Sequence, residues 1–264
     1  MTIDELIDAT RDRVEKEQHG VPTYYDRRVL RQGEEHDPNW RARIGRHATA
    51  LKAGRFVPWD ERESVDLEGL DPHRRSEIPD EVLIMSQGTA RPMQWRGRDL
   101  FKSTFDFAIV TMLLAELRPE VILEVGSGNG ASALWMADLA ELHGFDCRTV
   151  SLDLQTVPVT RSSVEFITGD ARRIGEFLPE DTLARGPRLV VEDAHVGVRG
   201  VLEYVHEQLR EGDYIIVEDS VGKGAQLREF NAAHPGQYAV DTHYTDYFGR
   251  NATSCVDSIL RRMA

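Results

Sequence analysis

An α/β fold on a central, mostly parallel sheet is predicted by three features of the 264-residue chain. From residue 120 onward, short apolar runs alternate with helix-length stretches. Runs such as Val121-Ile-Leu-Glu-Val125 and Tyr214-Ile-Ile-Val217 are almost continuously apolar, as strands are when helices cover both faces of a sheet. One run passes straight through a glycine turn into a helix: Glu124-Val-Gly126-Ser-Gly128-Asn-Gly130.

The first part of the chain reads differently. Thr2 and Glu5 have capping-box spacing, and Ile3, Leu6, Ile7 and Val14 recur at helical intervals, which predicts a helix over about 2–17. Asp37-Pro38 is an N-cap followed by proline at the first helical position. Trp40, Ile44, His47 and Leu51 then share one face, Arg41, Arg43, Arg46 and Lys52 form a solvated face, and Gly54 ends the helix. Residues 58–81 hold Pro58, Pro72, Pro79 and many acidic side chains without a period. They read as a long, lid-like loop. A helix over about 99–118 is predicted by Leu100, Phe101, Phe105, Phe107, Met112 and Leu113, with Pro119 stopping it. We therefore expect an N-terminal helical extension with its loop over 1–95 and the α/β domain over 96–264.

Within that domain the predicted order is strand 121–125, helix 131–143, strand 149–153, strand 164–167, strand 188–191, helix 197–210, strand 214–217 and helix 223–232. Tyr238-Ala-Val-Asp241 and Cys255-Val-Asp-Ser-Ile-Leu260 are expected to close a seven-stranded sheet. In open sheets of this type, ligands sit beyond the carboxyl ends of the strands.

Composition narrows the function. Lys and Arg total 32 against 45 Asp and Glu, for a net charge of −13. Such a surface repels phosphate backbones, so no nucleic-acid partner is expected. Cys147 and Cys255 are the two cysteines, which excludes a disulfide framework and fits a reducing cytoplasm. No apolar run approaches the roughly 20 residues a spanning helix needs. The N-terminus is acidic and amphipathic rather than signal-like. We expect a cytoplasmic protein with no membrane partner.

The glycine turn carries the chemistry. Glycine lets a ligand approach the backbone, and the helix N-terminus that follows favours polar or anionic groups. Asp153 ends the next strand, where a carboxylate can accept two ribose hydroxyls, and Gly169-Asp170 ends the third, placed to meet a purine edge. A nicotinamide dehydrogenase expects G-x-G-x-x-G. Here the run is G-x-G-x-G, with Glu124 two residues before the first glycine. A carboxylate there suits a ligand bearing an ammonium group. S-adenosylmethionine combines an adenosine with an amino-acid end, so Glu124, Gly126, Ser127, Gly128, Gly130, Asp153 and Asp170 are the expected cofactor contacts. The pattern resembles motif I of Rossmann-fold (class I) methyltransferases.

Two further strand ends are acidic: Glu192-Asp193-Ala-His195 and Glu218-Asp219. Four carboxylates facing one cleft repel unless a cation or proton is shared, and hard oxygen donors suit Mg2+ or another divalent cation. The competing use for these acids is to cap the following helices. His195 is positioned to act as general base on an acceptor hydroxyl.

Together, Trp95-Arg-Gly-Arg-Asp-Leu-Phe-Lys102-Ser-Thr-Phe-Asp106, the glycine turn with Ala131-Ser-Ala-Leu134, Glu192-Asp-Ala-His195 and Leu209-Arg-Glu-Gly-Asp-Tyr-Ile-Ile-Val-Glu218-Asp219 resemble the cephalosporin-hydroxylase-type (CmcI-like) methyltransferases. The resemblance spans roughly residues 90–264. It implies a Rossmann-fold methyltransferase using S-adenosylmethionine and magnesium, an N-terminal segment near the active site, and a homo-oligomer. Carried over residue by residue, it assigns the metal to Glu192, Glu218 and Asp219. The family has Asp where this chain has Glu192, which leaves Asp193 as the alternative ligand. The expected activity is metal-assisted O-methylation of a small, hydroxylated secondary metabolite, as in antibiotic biosynthesis. The alternatives are a metal-independent N- or C-methyltransferase and, against the glycine spacing, a nicotinamide-dependent oxidoreductase.

Overall fold

The structure is a computed structural model and describes residues 54–63, 75–159 and 163–263. Arg55–Ala264 forms one compact unit. The helices expected over 2–17 and 37–54 lie outside the described residues, apart from Gly54.

The strands are β1 (Phe56–Pro58), β2 (Met93–Trp95), β3 (Arg98–Leu100), β4 (Val121–Val125), β5 (Arg148–Asp153), β6 (Val164–Thr168), β7 (Arg188–Glu192), β8 (Tyr214–Val217), β9 (Tyr238–Asp241) and β10 (Ile259–Arg262). The helices are α1 (Trp59–Glu63), α2 (Asp80–Met85), α3 (Thr104–Leu117), α4 (Ala131–Leu142), α5 (Val198–His206), α6 (Gly224–Ala233) and α7 (Thr242–Thr245). Single 3-10 turns span Ala171–Glu176 and Ser220–Lys223.

Among the described residues, one sheet has the order β1-β9-β10-β8-β7-β4-β5-β6. The pairs β8–β7, β7–β4, β4–β5 and β5–β6 are parallel, while β10 and β1 pair antiparallel. Every residue of β4, β7 and β8 is buried, because helices cover both faces. Val198, Val201, Leu202 and Val205 of α5 join Leu227 and Phe230 of α6 in one core layer. Ile109, Val110 and Leu113 of α3 join Trp135 and Met136 of α4 in the other. At about 25 cal/mol per Å2 of apolar area removed from water, these two layers supply the main drive for folding.

Four sequence expectations change. The sheet has eight strands rather than seven, because Phe56–Pro58 adds an edge strand beside β9. Residues 59–63, expected as loop, form α1. The helix expected from residue 99 begins at Thr104, where the Ser103 side chain accepts the Asp106 N–H. The residues before it form the β2–β3 hairpin, whose turn residues Arg96 and Gly97 both have positive φ, the conformation that two-residue hairpin turns require. The last strand begins at Ile259 rather than Cys255. The backbone N–H of Ser254 is drawn to buried Asp106, and Asp257 to buried Arg62. No helix among the described residues is long and apolar enough to cross a membrane.

Candidate active site

The carboxyl ends of β4, β5 and β7 meet the run from β3 into α3 around a cavity of about 520 Å3. Gly126, Ser127 and Gly128 line it from the turn between β4 and α4, Asp153 from the end of β5, and Asp170 from the loop after β6. Gly126 has φ 105°, and a Cβ there would stand 2.5 Å from the Asp193 carbonyl carbon. Only glycine allows the β4 and β7 loops to pass this closely. The Asp153 carboxylate accepts the Gly128 N–H at 2.9 Å and the Gln155 N–H at 2.8 Å. Asp170 accepts the Arg172 N–H and pairs with its guanidinium, which holds its carboxyl below the usual range. It also caps the 3-10 turn that follows.

Glu124 behaves differently from its cofactor-facing expectation. It is fully buried, its carboxylate accepts the Ser132 and Ser151 hydroxyls, and it does not line the cavity. Burial pushes its carboxyl up. Ser127 and Ser151 share a 2.5 Å hydrogen bond behind the same turn, so the glutamate stiffens the glycine loop from beneath.

The four carboxylates at the ends of β7 and β8 divide into two pairs. Glu192 is fully buried and accepts Lys223 Nζ at 2.8 Å and the Ala194 N–H at 3.1 Å. Glu218 is buried and hydrogen-bonded to Lys102 Nζ, which lies 3.4 Å from Asp193 Oδ2. Asp193, His195 and Asp219 offer donor atoms within 4.8 Å of one another. Of the expected ligands Glu192, Glu218 and Asp219, the structure brings only Asp219 into this cluster. Asp193, the alternative at the β7 end, takes the place of Glu192. The physical reason is local neutralisation. A buried carboxylate that meets a buried ammonium is already satisfied, and each glutamate has one.

Asp219 is 62 % exposed, has φ 47°, and makes no side-chain cap to the turn it precedes. His195 Nε2 lies 3.4 Å from Asp193 Oδ1 and 3.6 Å from Asp219 Oδ2. Its hydrogen bond to Asp193 pushes the imidazole pKa up. Burial opposes the charge on Lys102, but the Glu218 and Asp193 carboxylates outweigh it and hold the ammonium above its usual range. Against the upward push of burial, Lys102 and the His195 hydrogen bond keep the Asp193 carboxyl low.

Sequence reasoning missed both lysines. Lys102 immediately precedes the N-cap Ser103 of α3, and Lys223 follows Asp219 by one turn; neither position looks special until the fold closes. Lys102 also lines the cavity. So do Phe101, Leu154 and Val196, which are 61 %, 68 % and 49 % exposed and leave an apolar rim.

Comparison with known proteins gives the family. Residues 87–173 match the family model described as Rhamnosyl O-methyltransferase/CmcI. Over 183 residues the chain is 25% identical to the rhamnosyl O-methyltransferase of Mycobacterium leprae (strain TN), covering 59% of this chain and 77% of that protein. A solved structure of CmcI with Mg-SAM is 30% identical, with a TM-score of 0.57 over 66% of this chain and 77% of that one. A CmcI structure with SAH is 28% identical, with a TM-score of 0.55 over 66% of this chain and 84% of that one. The chain is thus a member of the rhamnosyl O-methyltransferase/CmcI family of S-adenosylmethionine-dependent methyltransferases.

Proposed function

We propose that the chain transfers a methyl group from S-adenosylmethionine to a hydroxyl of a small secondary metabolite, assisted by a divalent cation. One observation carries this reading: the glycine turn, Asp153 and Asp170 line one cavity together with Asp193 and His195, and Asp219 offers a carboxylate oxygen within 4.8 Å of the donor atoms of those last two. The glycine turn and Asp153 are the cofactor cradle. A carboxylate at the end of β5 can take up the ribose hydroxyls once the ligand competes for its loop hydrogen bonds. Asp193, beside Lys102, and Asp219 are the acceptor side.

The residues fit a hard cation. Asp219 is an exposed carboxylate without a capping role, and Asp193 stands within 4.8 Å of it. Oxygen donors of this kind suit magnesium better than imidazole does. Asp193 and Asp219 would hold the ion. When bound, it would lower the pKa of an acceptor hydroxyl and help place its oxygen. His195 shares its Nε2 proton with Asp193, so its Nδ1 is left to accept the hydroxyl proton. The methyl carbon leaves the sulfonium sulfur for the acceptor oxygen. The products are S-adenosylhomocysteine and the methyl ether, and the proton ends on His195. Much of the rate in such a displacement comes from holding oxygen, carbon and sulfur in line. The Phe101, Leu154 and Val196 rim supports an acceptor with an apolar body.

Manganese, as a spectroscopic stand-in for magnesium, tests the reading. We expect Mn2+ to bind the wild-type chain. Asp219→Ala should lose that binding while keeping its S-adenosylhomocysteine affinity, and chelation should abolish methyl transfer. Full turnover in excess chelator would reject the metal and favour a metal-independent methyltransferase.

A further inference from the structure

The β2–β3 hairpin leads directly into the cavity wall, since Asp99, Leu100, Phe101 and Lys102 all line it. At one end the hairpin is anchored to α4, where Trp95 Nε1 donates to Asp138 Oδ2 at 2.7 Å and Arg96 pairs with the same carboxylate. At the other end Arg98 spans two loops. Its two terminal nitrogens donate to the Asn129 and Pro158 carbonyls, each at 2.7 Å. Asn129 answers by donating its side-chain amide to the Asp99 carbonyl at 2.8 Å.

Asn129 belongs to the glycine turn, and Pro158 to the segment that follows Asp153. These are the loops on either side of the Asp153 carboxylate, already joined by the Gly128 N–H. A planar guanidinium with donors in a fixed fork suits a bridge between two carbonyls, whereas an ammonium has no such geometry. Neither acceptor carries a charge, so the bridge is a pair of charge-assisted hydrogen bonds rather than an ion pair. Its effect is to fix the spacing of the two loops.

We propose that Arg98 is a positioning residue that clasps the glycine turn to the loop after β5 and so slows escape of S-adenosylmethionine and its product. This rests on the reading of the cavity as the cofactor site. Clasped loops hold Asp153 and the Gly128 N–H at the spacing a nucleoside needs. Freed loops would leave the ligand the same contacts but a lower barrier to departure, because affinity differences within one site lie mostly in the off-rate.

The test measures S-adenosylhomocysteine affinity by calorimetry, and the release of tritiated S-adenosylmethionine on dilution into excess unlabelled product. Arg98→Ala should weaken binding about ten-fold, the scale of one or two lost charged hydrogen bonds. The loss should appear in the off-rate, and any fall in the ligand-free melting temperature should be no larger than that of Arg96→Asn, which loses hydrogen bonds of the same kind. Arg98→Lys should fall between the two. Arg96→Asn, on the same hairpin but bonded to α4, should bind within about two-fold of wild type; Asn tolerates the left-handed backbone there. If Arg98→Ala binds like wild type while Asp153→Ala binds weakly, the clasp is refuted and the cofactor site stands. A loss no greater than that of Arg96→Asn, accompanied by a lower melting temperature, would make Arg98 merely structural and refute the clasp as well. If Asp153→Ala also binds normally, the placement of the cofactor fails and the clasp falls with it.

Discussion

Gly126→Ala is the substitution whose cost is best defined by the structure. At φ 105° an alanine is strained by roughly 1–3 kcal/mol. Its Cβ would also stand 2.5 Å from the Asp193 carbonyl carbon, 2.6 Å from the Asp193 oxygen and 2.6 Å from the Ala194 nitrogen. All three are backbone atoms of the loop that carries Asp193 and His195, so no side chain can swing away. Overpacking of this kind costs a further roughly 1–3 kcal/mol. The sum is roughly 2–6 kcal/mol. In a domain of this size that corresponds to a fall in Tm of roughly 5–20 °C. Gly128→Ala is the internal control. Gly128 has φ 51°, within reach of ordinary residues, and a Cβ there meets nothing within 4 Å, so about 1 kcal/mol or less is expected. Thermal and urea unfolding of both variants decide the matter. A Gly126→Ala protein melting within about 2 °C of wild type would refute the claim that the β4 and β7 loops are packed backbone on backbone. Equal loss in both variants would refute it too.

Other outcomes follow from the same contacts. Lys102→Met should destabilise the fold by about 3–5 kcal/mol in urea unfolding, because it strands the buried Glu218 carboxylate. Lys102→Met combined with Glu218→Leu should recover part of that loss, since it removes the stranded Glu218 charge while Asp193 keeps its contact with His195; a double variant as unstable as the single would contradict the pairing. His206 stacks on His234 with ring centroids 3.6 Å apart, and burial together with His234 and Arg262 pulls its pKa down. The unfolded chain therefore binds a proton first, near pH 6.5. The stability tied to this group is present above that pH and is lost as pH falls toward the lowered folded value. His206→Gln should flatten the pH dependence of the unfolding free energy across that window, and an unchanged slope would count against it.

How far the sequence could be read depended on the range of the interactions. The β4–glycine turn–α4 unit was legible because strand, turn and helix are contiguous, and each glycine sits where the backbone needs positive φ. The parallel strands β4, β7 and β8 were legible because burial on both faces leaves almost unbroken apolar runs. The hairpin before α3 was hidden by its Arg-Gly turn, which lacks the usual Asn-Gly or Asp-Gly signal, and by apolar residues at helical spacing. The edge strand Phe56–Pro58 is three residues long, and its partner lies more than 180 positions away in sequence. The acidic strand ends were found, but their division was not. Electrostatics in sequence order sees four carboxylates in need of a cation. The fold supplies two from within: Lys102, 116 positions from Glu218, and Lys223, 31 from Glu192. What remains outside the two glutamate–lysine pairs is Asp193 and Asp219, the aspartates to which the proposed ion is assigned.

The central claim is that this cavity takes S-adenosylmethionine with the Asp153 carboxylate beneath its ribose. Calorimetric titration of the full chain with S-adenosylhomocysteine, repeated on Asp153→Ala and with NAD in place of the ligand, tests it most directly. The account predicts one site per chain, a loss of about 1–3 kcal/mol in the variant, and no heat with NAD. Binding of NAD without S-adenosylhomocysteine, or equal affinity in Asp153→Ala and wild type, would contradict it.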